Sequence, residues 1–178
     1  MIKSSKLAIF LLAVFAAVSA AAEPSASSTG LAQKLKVGAD ESLAMIVPAK
    51  GVQIYECRAA KGEGGYEWAF VAPEADLFDT RGMRIGHHYA GPSWEASDGS
   101  KIVGSVKARA DAPADGAIAW LLLGAKSVGP DGAFSHVSSV RRVNTVGGSA
   151  PGTGCAASAA GALARVPYTA DYFFFTRD

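Results

Sequence analysis

The chain has 178 residues, of which 49% are hydrophobic and 19% charged, with 17 basic residues against 16 acidic ones. A balance this even lacks the basic excess that nucleic acid or an anionic membrane surface needs, so neither is expected as a partner. The length and apolar share suit one compact domain with a full-sized core.

In chain order, Lys3 and Lys6, the apolar run Leu7 to Val18, and Ala20, Ala21 and Ala22 before Glu23 have the layout of a secretory signal peptide. The run is too short to span a bilayer as an ordinary helix. No cysteine follows it to take a lipid anchor. Cleavage after Ala20 or Ala22 removes both lysines and no acid. A secreted or periplasmic protein is therefore expected, soluble and without stable membrane insertion. Residues 1–22 are read as the signal, residues 23–42 as a polar, poorly ordered leader, and residues 43–178 as a single β domain.

From there short apolar runs are broken by Gly, Pro and Asp, as in an all-β protein. Val52 to Arg58 and Tyr66 to Phe70 alternate with period two around the turn-rich Lys61 to Gly65. They predict a hairpin with Ile54, Trp68 and Phe70 as candidates for burial. Asp98-Gly99 is a turn leading into the strand Lys101 to Lys107, with the Asp98 side chain capping its own backbone. Ile118 to Leu123 is a continuous apolar run and reads as a strand covered on both faces, with Trp120 largely buried. Pro130-Asp131-Gly132 separates it from Phe134 to Val143, where Arg142 is expected to pair with a carboxylate on a neighbouring strand. Gly147-Gly148 permits positive φ and a sharp reversal. Ala156 to Ala164 alone invites a helix, and Tyr168 to Arg177 is an aromatic-rich terminal strand expected in the core. The sum is a single-domain antiparallel β-sandwich or flattened barrel of about eight to ten strands.

Cys57 and Cys155 are the only two cysteines. In an oxidising compartment they most simply pair, because neither a CxxC motif nor a Cys/His cluster is present.

The densest site chemistry lies between Ile85 and Lys101. Here His87, His88, Tyr89, Trp94, Glu95 and Lys101 are read as one ligand-binding face, the aromatics supplying contact area and the polar groups specificity. His87 and His88 are adjacent, so on a strand they point to opposite faces and do not both ligate one ion. His136 could add a distant nitrogen, but no spacing defines a metal site, and no metal or cofactor is assigned. Glu95 with Asp98 or Asp79 could form a carboxylate pair for glycoside hydrolysis. No G-x-S-x-G elbow or G-x-G-x-x-G fingerprint occurs, so no catalytic residue is named. Two classes stay open. One is a binding or accessory module for a small molecule or glycan, expected to be a monomer. The other is a hydrolase or metal-dependent enzyme using Glu95 and a histidine.

The segments Gly51 to Cys57, Trp68 to Pro73, His87 to Trp94, Arg141 to Gly148 with Ala150-Pro151 and Gly154-Cys155, and Val166 to Phe174 together resemble the exported family known as domain of unknown function 3455. The resemblance spans roughly Leu43 to Phe175. It implies export, one domain and the Cys57–Cys155 pairing, and brings no activity with it.

Overall fold

The computed structural model describes residue 30, residues 33–62 and residues 64–178. The expected signal peptide and the leader's residues 23–29, 31 and 32 lie outside these residues. Eight strands follow one another: β1 (Glu41–Ala59), β2 (Tyr66–Phe78), β3 (Arg84–Tyr89), β4 (Ser93–Ala96), β5 (Lys101–Ala110), β6 (Trp120–Ser127), β7 (Val137–Gly147) and β8 (Leu163–Arg177). Each pairs antiparallel with its neighbours in sequence, and β8 returns to β1, from Glu41 opposite Arg177 to Glu56 opposite Leu163. Of the two expected architectures the chain forms the barrel, which leaves no unpaired sheet edge.

Closure gives every strand an inner and an outer face. Along β1 the inner positions are Val47, Ala49, Gln53, Tyr55 and Cys57, all buried. The expected burial of Ile54 is therefore corrected. It is only half-buried, on the opposite parity, while Trp68 is half-buried and Phe70 is 54% exposed. The inner face at this end of the barrel carries polar and aromatic groups, so hydropathy alone selects the wrong parity.

The central core is made of Val47, Leu77, Trp94, Ile102, Leu123, Phe134, Val140, Tyr172 and Phe174, among others. Phe134, in the β6–β7 connection, closes one end by packing edge-on to Phe174, ring centroids 5.0 Å apart. Its position is fixed by a chain of polar contacts running out to the exposed Asp98. The Phe134 N–H donates to Ser100 Oγ at 3.0 Å, the Ser100 hydroxyl donates to Asp98 Oδ1 at 2.6 Å, and the Ala133 N–H donates to Asp98 Oδ2 at 2.8 Å. The Asp98 cap on its own turn is present, as the Ser100 N–H donates to Oδ1 at 2.9 Å.

The apolar run before and within β6 is covered on two sides, though not completely. Leu121 and Leu123 face the interior, while Leu122 joins an outer cluster with Leu35, Ala110 and Val143. Trp120 packs against that outer cluster and is half-buried, less than expected. Leu35 is 2% exposed, so this part of the segment before β1 is packed on the barrel instead of hanging free. The segment expected as a helix contracts to one 3-10 turn, Ala157–Ala159, and Leu163 already opens β8. A run of small residues with Gly161 at φ +81° has little to hold a longer helix.

Candidate functional site at the open end of the barrel

The β1–β2, β3–β4, β5–β6 and β7–β8 connections meet at the end opposite Phe134. There the barrel interior is not filled. A cavity of about 630 Å³ opens between these loops, lined by residues including Gln53, Tyr55, Phe70, His88, Trp94, Arg109, Leu121, Leu123, Arg142 and Tyr172. An eight-stranded barrel has just the girth to hold one small ligand in place of side chains.

The floor is aromatic. The His88 imidazole stacks on the Trp94 indole, with centroids 4.5 Å apart and planes 16° from parallel. Tyr172 meets both rings edge-on. Gly104 makes room for the indole, since a Cβ there would stand 2.8 Å from Trp94 Cζ3. His88 is 2% exposed, and burial drives its pKa down to about 3. The ring is therefore neutral near neutrality. Its Nδ1–H donates to the Ser93 carbonyl at 2.8 Å, so the bare nitrogen is Nε2.

Two further polar groups at the floor are left without partners. Gln53 is 2% exposed and Trp94 1%, yet neither Gln53 Nε2 nor Trp94 Nε1 has a hydrogen-bond partner. Buried donors are normally paired, because leaving one unmade costs about 1–3 kcal/mol.

Arg142 reaches the cavity from β7. Its Nε and Nη2 donate to the Ala119 carbonyl at 3.1 and 2.8 Å. The expected carboxylate partner is absent: no ion pair among the described residues includes Arg142. The neighbouring inner positions hold Leu121, Tyr172 and Tyr168, which leave no acid within reach of the guanidinium. Its charge bears on Tyr55, Tyr168, Tyr172 and His88 alike. Burial in turn holds the Tyr168 and Tyr172 hydroxyls protonated, raising both pKa values.

The mouth is framed by the β7–β8 connection. Cys57 and Cys155 form a disulfide that ties this connection to β1. Tyr55 Oη donates to the Gly148 carbonyl at 2.7 Å, and Trp68 Nε1 donates to the Thr153 carbonyl at 2.9 Å. Gly147 and Gly148 have φ of +67° and +86°, the reversal expected of the pair.

The six residues read from the sequence as one face are divided by strand parity. His88 and Trp94 point inward and line the cavity. His87, Tyr89, Glu95 and Lys101 lie on the outer surface. There His87 stacks on Tyr89 at 5.1 Å, the Tyr89 hydroxyl donates to Glu95 Oε2 at 2.5 Å, and Lys101 Nζ lies 3.8 Å from the same oxygen. The Tyr89 bond first, with the His87 and Lys101 charges, holds the Glu95 carboxyl below its ordinary range. His136 is exposed on the far side of the barrel, and the described residues contain no group of three His, Cys, Asp or Glu able to hold a metal ion.

Gln53, Tyr55, Arg142 and Tyr172 were not singled out as site residues, although two signals were present. Cys57 must face its partner, so Tyr55 and Gln53 share its side of the strand. Arg141-Arg142 is an adjacent pair, and one member of such a pair in a strand has to point inward.

No curated protein and no solved structure matches the chain. A family model described as "Protein of unknown function (DUF3455)" matches it over residues 38–176, a stretch that takes in β1 to β7, β8 as far as Thr176, and every residue lining the cavity. The chain belongs to that family.

Proposed function

We propose that the protein is an exported binding module that holds one small molecule in the open end of its barrel. The observation that carries this reading is the cavity of about 630 Å³ at the open end, lined by Trp94, Tyr172, Leu121 and Leu123 with the Arg142 guanidinium among them. Such a lining, apolar and aromatic with a few convergent polar groups, is the usual arrangement of a small-molecule pocket. Export is supported by the signal-like segment and by the disulfide, which persists only in an oxidising compartment.

The outer face argues for a barrel in water. Arg84 pairs with Asp76 at 2.5 Å across neighbouring strands, and Arg165 of β8 reaches over β1 to Glu74 of β2 at 2.7 Å. Charges at such positions are costly against lipid, and the interior is apolar where a membrane barrel is polar. A small molecule is favoured over an extended glycan, which would need an open aromatic platform; the aromatic cluster here is inside. Glu95 stands on the convex outer surface, engaged by Tyr89 and Lys101, which gives the hydrolytic alternative no concave site to work in.

The test is a thermal-shift screen of small amphiphiles on the mature protein, with each hit mapped by amide and indole NMR. Hits should move the Trp94 indole resonance and disappear in Leu121→Trp, which fills the cavity. Hits that instead shift His87 and Lys101 and survive Leu121→Trp would place binding on the outer surface and overturn the reading.

A further inference from the structure

Resting on that reading of the cavity, we infer that its ligand is an anion: a small organic carboxylate whose head is taken by Arg142 and whose apolar body lies toward the aromatic mouth. Three observations point to this chemistry. The cavity lining contains two arginines, Arg109 and Arg142, and no Asp or Glu. Neither arginine belongs to any ion pair among the described residues. The Arg142 charge reaches Tyr55, Tyr172 and His88, and none of these neutral groups answers it.

A half-buried guanidinium in an aromatic lining, with no counter-charge among its neighbours, favours a ligand that supplies one. Ala119 occupies only the Nε and Nη2 side of Arg142, through a neutral carbonyl that anchors the group and cancels none of its charge. The Tyr172 hydroxyl also engages the guanidinium, and the fork's remaining donors suit a planar oxyanion, the geometry for which arginine is best suited. His88 cannot be the source of positive charge, since its ring is neutral; its remaining nitrogen offers a single acceptor. Above the floor the lining turns apolar. Phe70, Val71 and Val106 are 54%, 43% and 59% exposed at the mouth, where hydrophobic side chains would otherwise be costly to display, and Tyr55 meets Phe70 edge-on at 5.8 Å. Charge at the inner end and apolar surface at the rim orient the ligand head first.

The experiment compares decanoate, decanamide and decylamine, matched in chain and different in head group, by calorimetry on the mature protein with the Trp94 indole resonance as reporter. Decanoate is expected to bind about ten- to a hundredfold more tightly than decanamide, the span of a charge-assisted hydrogen bond, with decylamine weakest. In Arg142→Gln the advantage of decanoate over decanamide should vanish, whatever the affinity for decanamide itself becomes. Because that variant also loosens Ala119, Arg109→Gln serves as the second arm and should reduce the same advantage in part. Decanamide binding as tightly as decanoate in the unaltered protein, with the indole shifted, would overturn the anionic assignment and leave the cavity reading standing. No indole shift with any of the three would overturn both.

Discussion

His88 sits at the meeting point of core and cavity, and its burial has a consequence for stability that can be signed. Burial holds its pKa at about 3, the Arg142 charge adds to the depression, and the bond to Ser93 opposes it. An exposed histidine of the unfolded chain takes up its proton near pH 6.5, so below that pH the unfolded state binds a proton that the native state refuses. Stability contributed by the neutral ring is therefore complete above pH 6.5 and is lost as the pH falls from there toward 3, by up to about 1.4 kcal/mol per pH unit. Asp98 and Glu95, whose carboxyls are held low chiefly by the Ser100 and Tyr89 hydroxyls, add their own losses only below the ordinary carboxylate range. The interval between about pH 6.5 and 4.5 thus belongs to His88. Urea melts of the unaltered protein and of His88→Phe across that interval should diverge steadily, the variant falling less; parallel losses would rule the account out. Residue doublets were the most legible site signal in the sequence. Adjacency on a strand sends His87 and His88 to opposite faces, which splits the ligand-binding face that grouped them, and the same rule makes Arg142 the inner member of its pair while Arg141 lies outside over Phe173 and Phe175.

Among the elements, the β7–β8 connection does most to shape the mouth. It is long, its single 3-10 turn has no buried residue, and its order rests on the Cys57–Cys155 disulfide together with the Tyr55 and Trp68 hydrogen bonds. Opening the bridge with the double substitution Cys57→Ala and Cys155→Ala should cost about 2–5 kcal/mol, most of it by freeing the unfolded chain. Probe binding at Trp94 should weaken beyond what that loss of stability alone produces, because Ser149 and Ala150 line the cavity. Denaturant melts paired with binding under fully folded conditions separate the two effects; unchanged affinity would mean the connection does not shape the site. β8 has a different role, since it pairs with both β1 and β7 and brings Tyr168, Tyr172 and Phe174 to the interior. A chain ending before Tyr168 leaves two edges open and the core without these rings, and should show no cooperative melt by circular dichroism. Strand existence was legible throughout, because alternation and turn residues mark it locally. Facing was not: in β8 the consecutive rings Tyr172 to Phe175 fall on both faces, Phe173 and Phe175 lying outside under Arg141, and in β1 Gln53 and Tyr55 are turned inward while hydropathy points to Ile54 instead.

At the scale of the molecule the barrel has one closed and one open end, and the difference follows from what fills it. At the closed end Phe134, Phe174, Val47, Leu77 and Val140 are each fully buried, and the Asp98, Ser100 and Phe134 contacts pin the plug. The open end trades that packing for the cavity, so the interior there has fewer apolar contacts to resist local opening. Closure itself could not be read from the chain in advance, because it depends on β1 and β8, far apart in sequence, matching in register over nearly their whole length. Native-state hydrogen exchange should reflect the asymmetry. The slowest amides are expected in the closed-end ladder, around Val47, Val140 and Phe174, exchanging only on global unfolding. Amides of Phe70, Val106 and Gly148 at the mouth should exchange faster by local opening and slow when decanoate is bound, with little change at the closed end. Binding sites are drawn from the less stable part of a fold because a ligand has to enter. A mouth as protected as the plug in the free protein would contradict this division and leave the cavity without a route for its ligand.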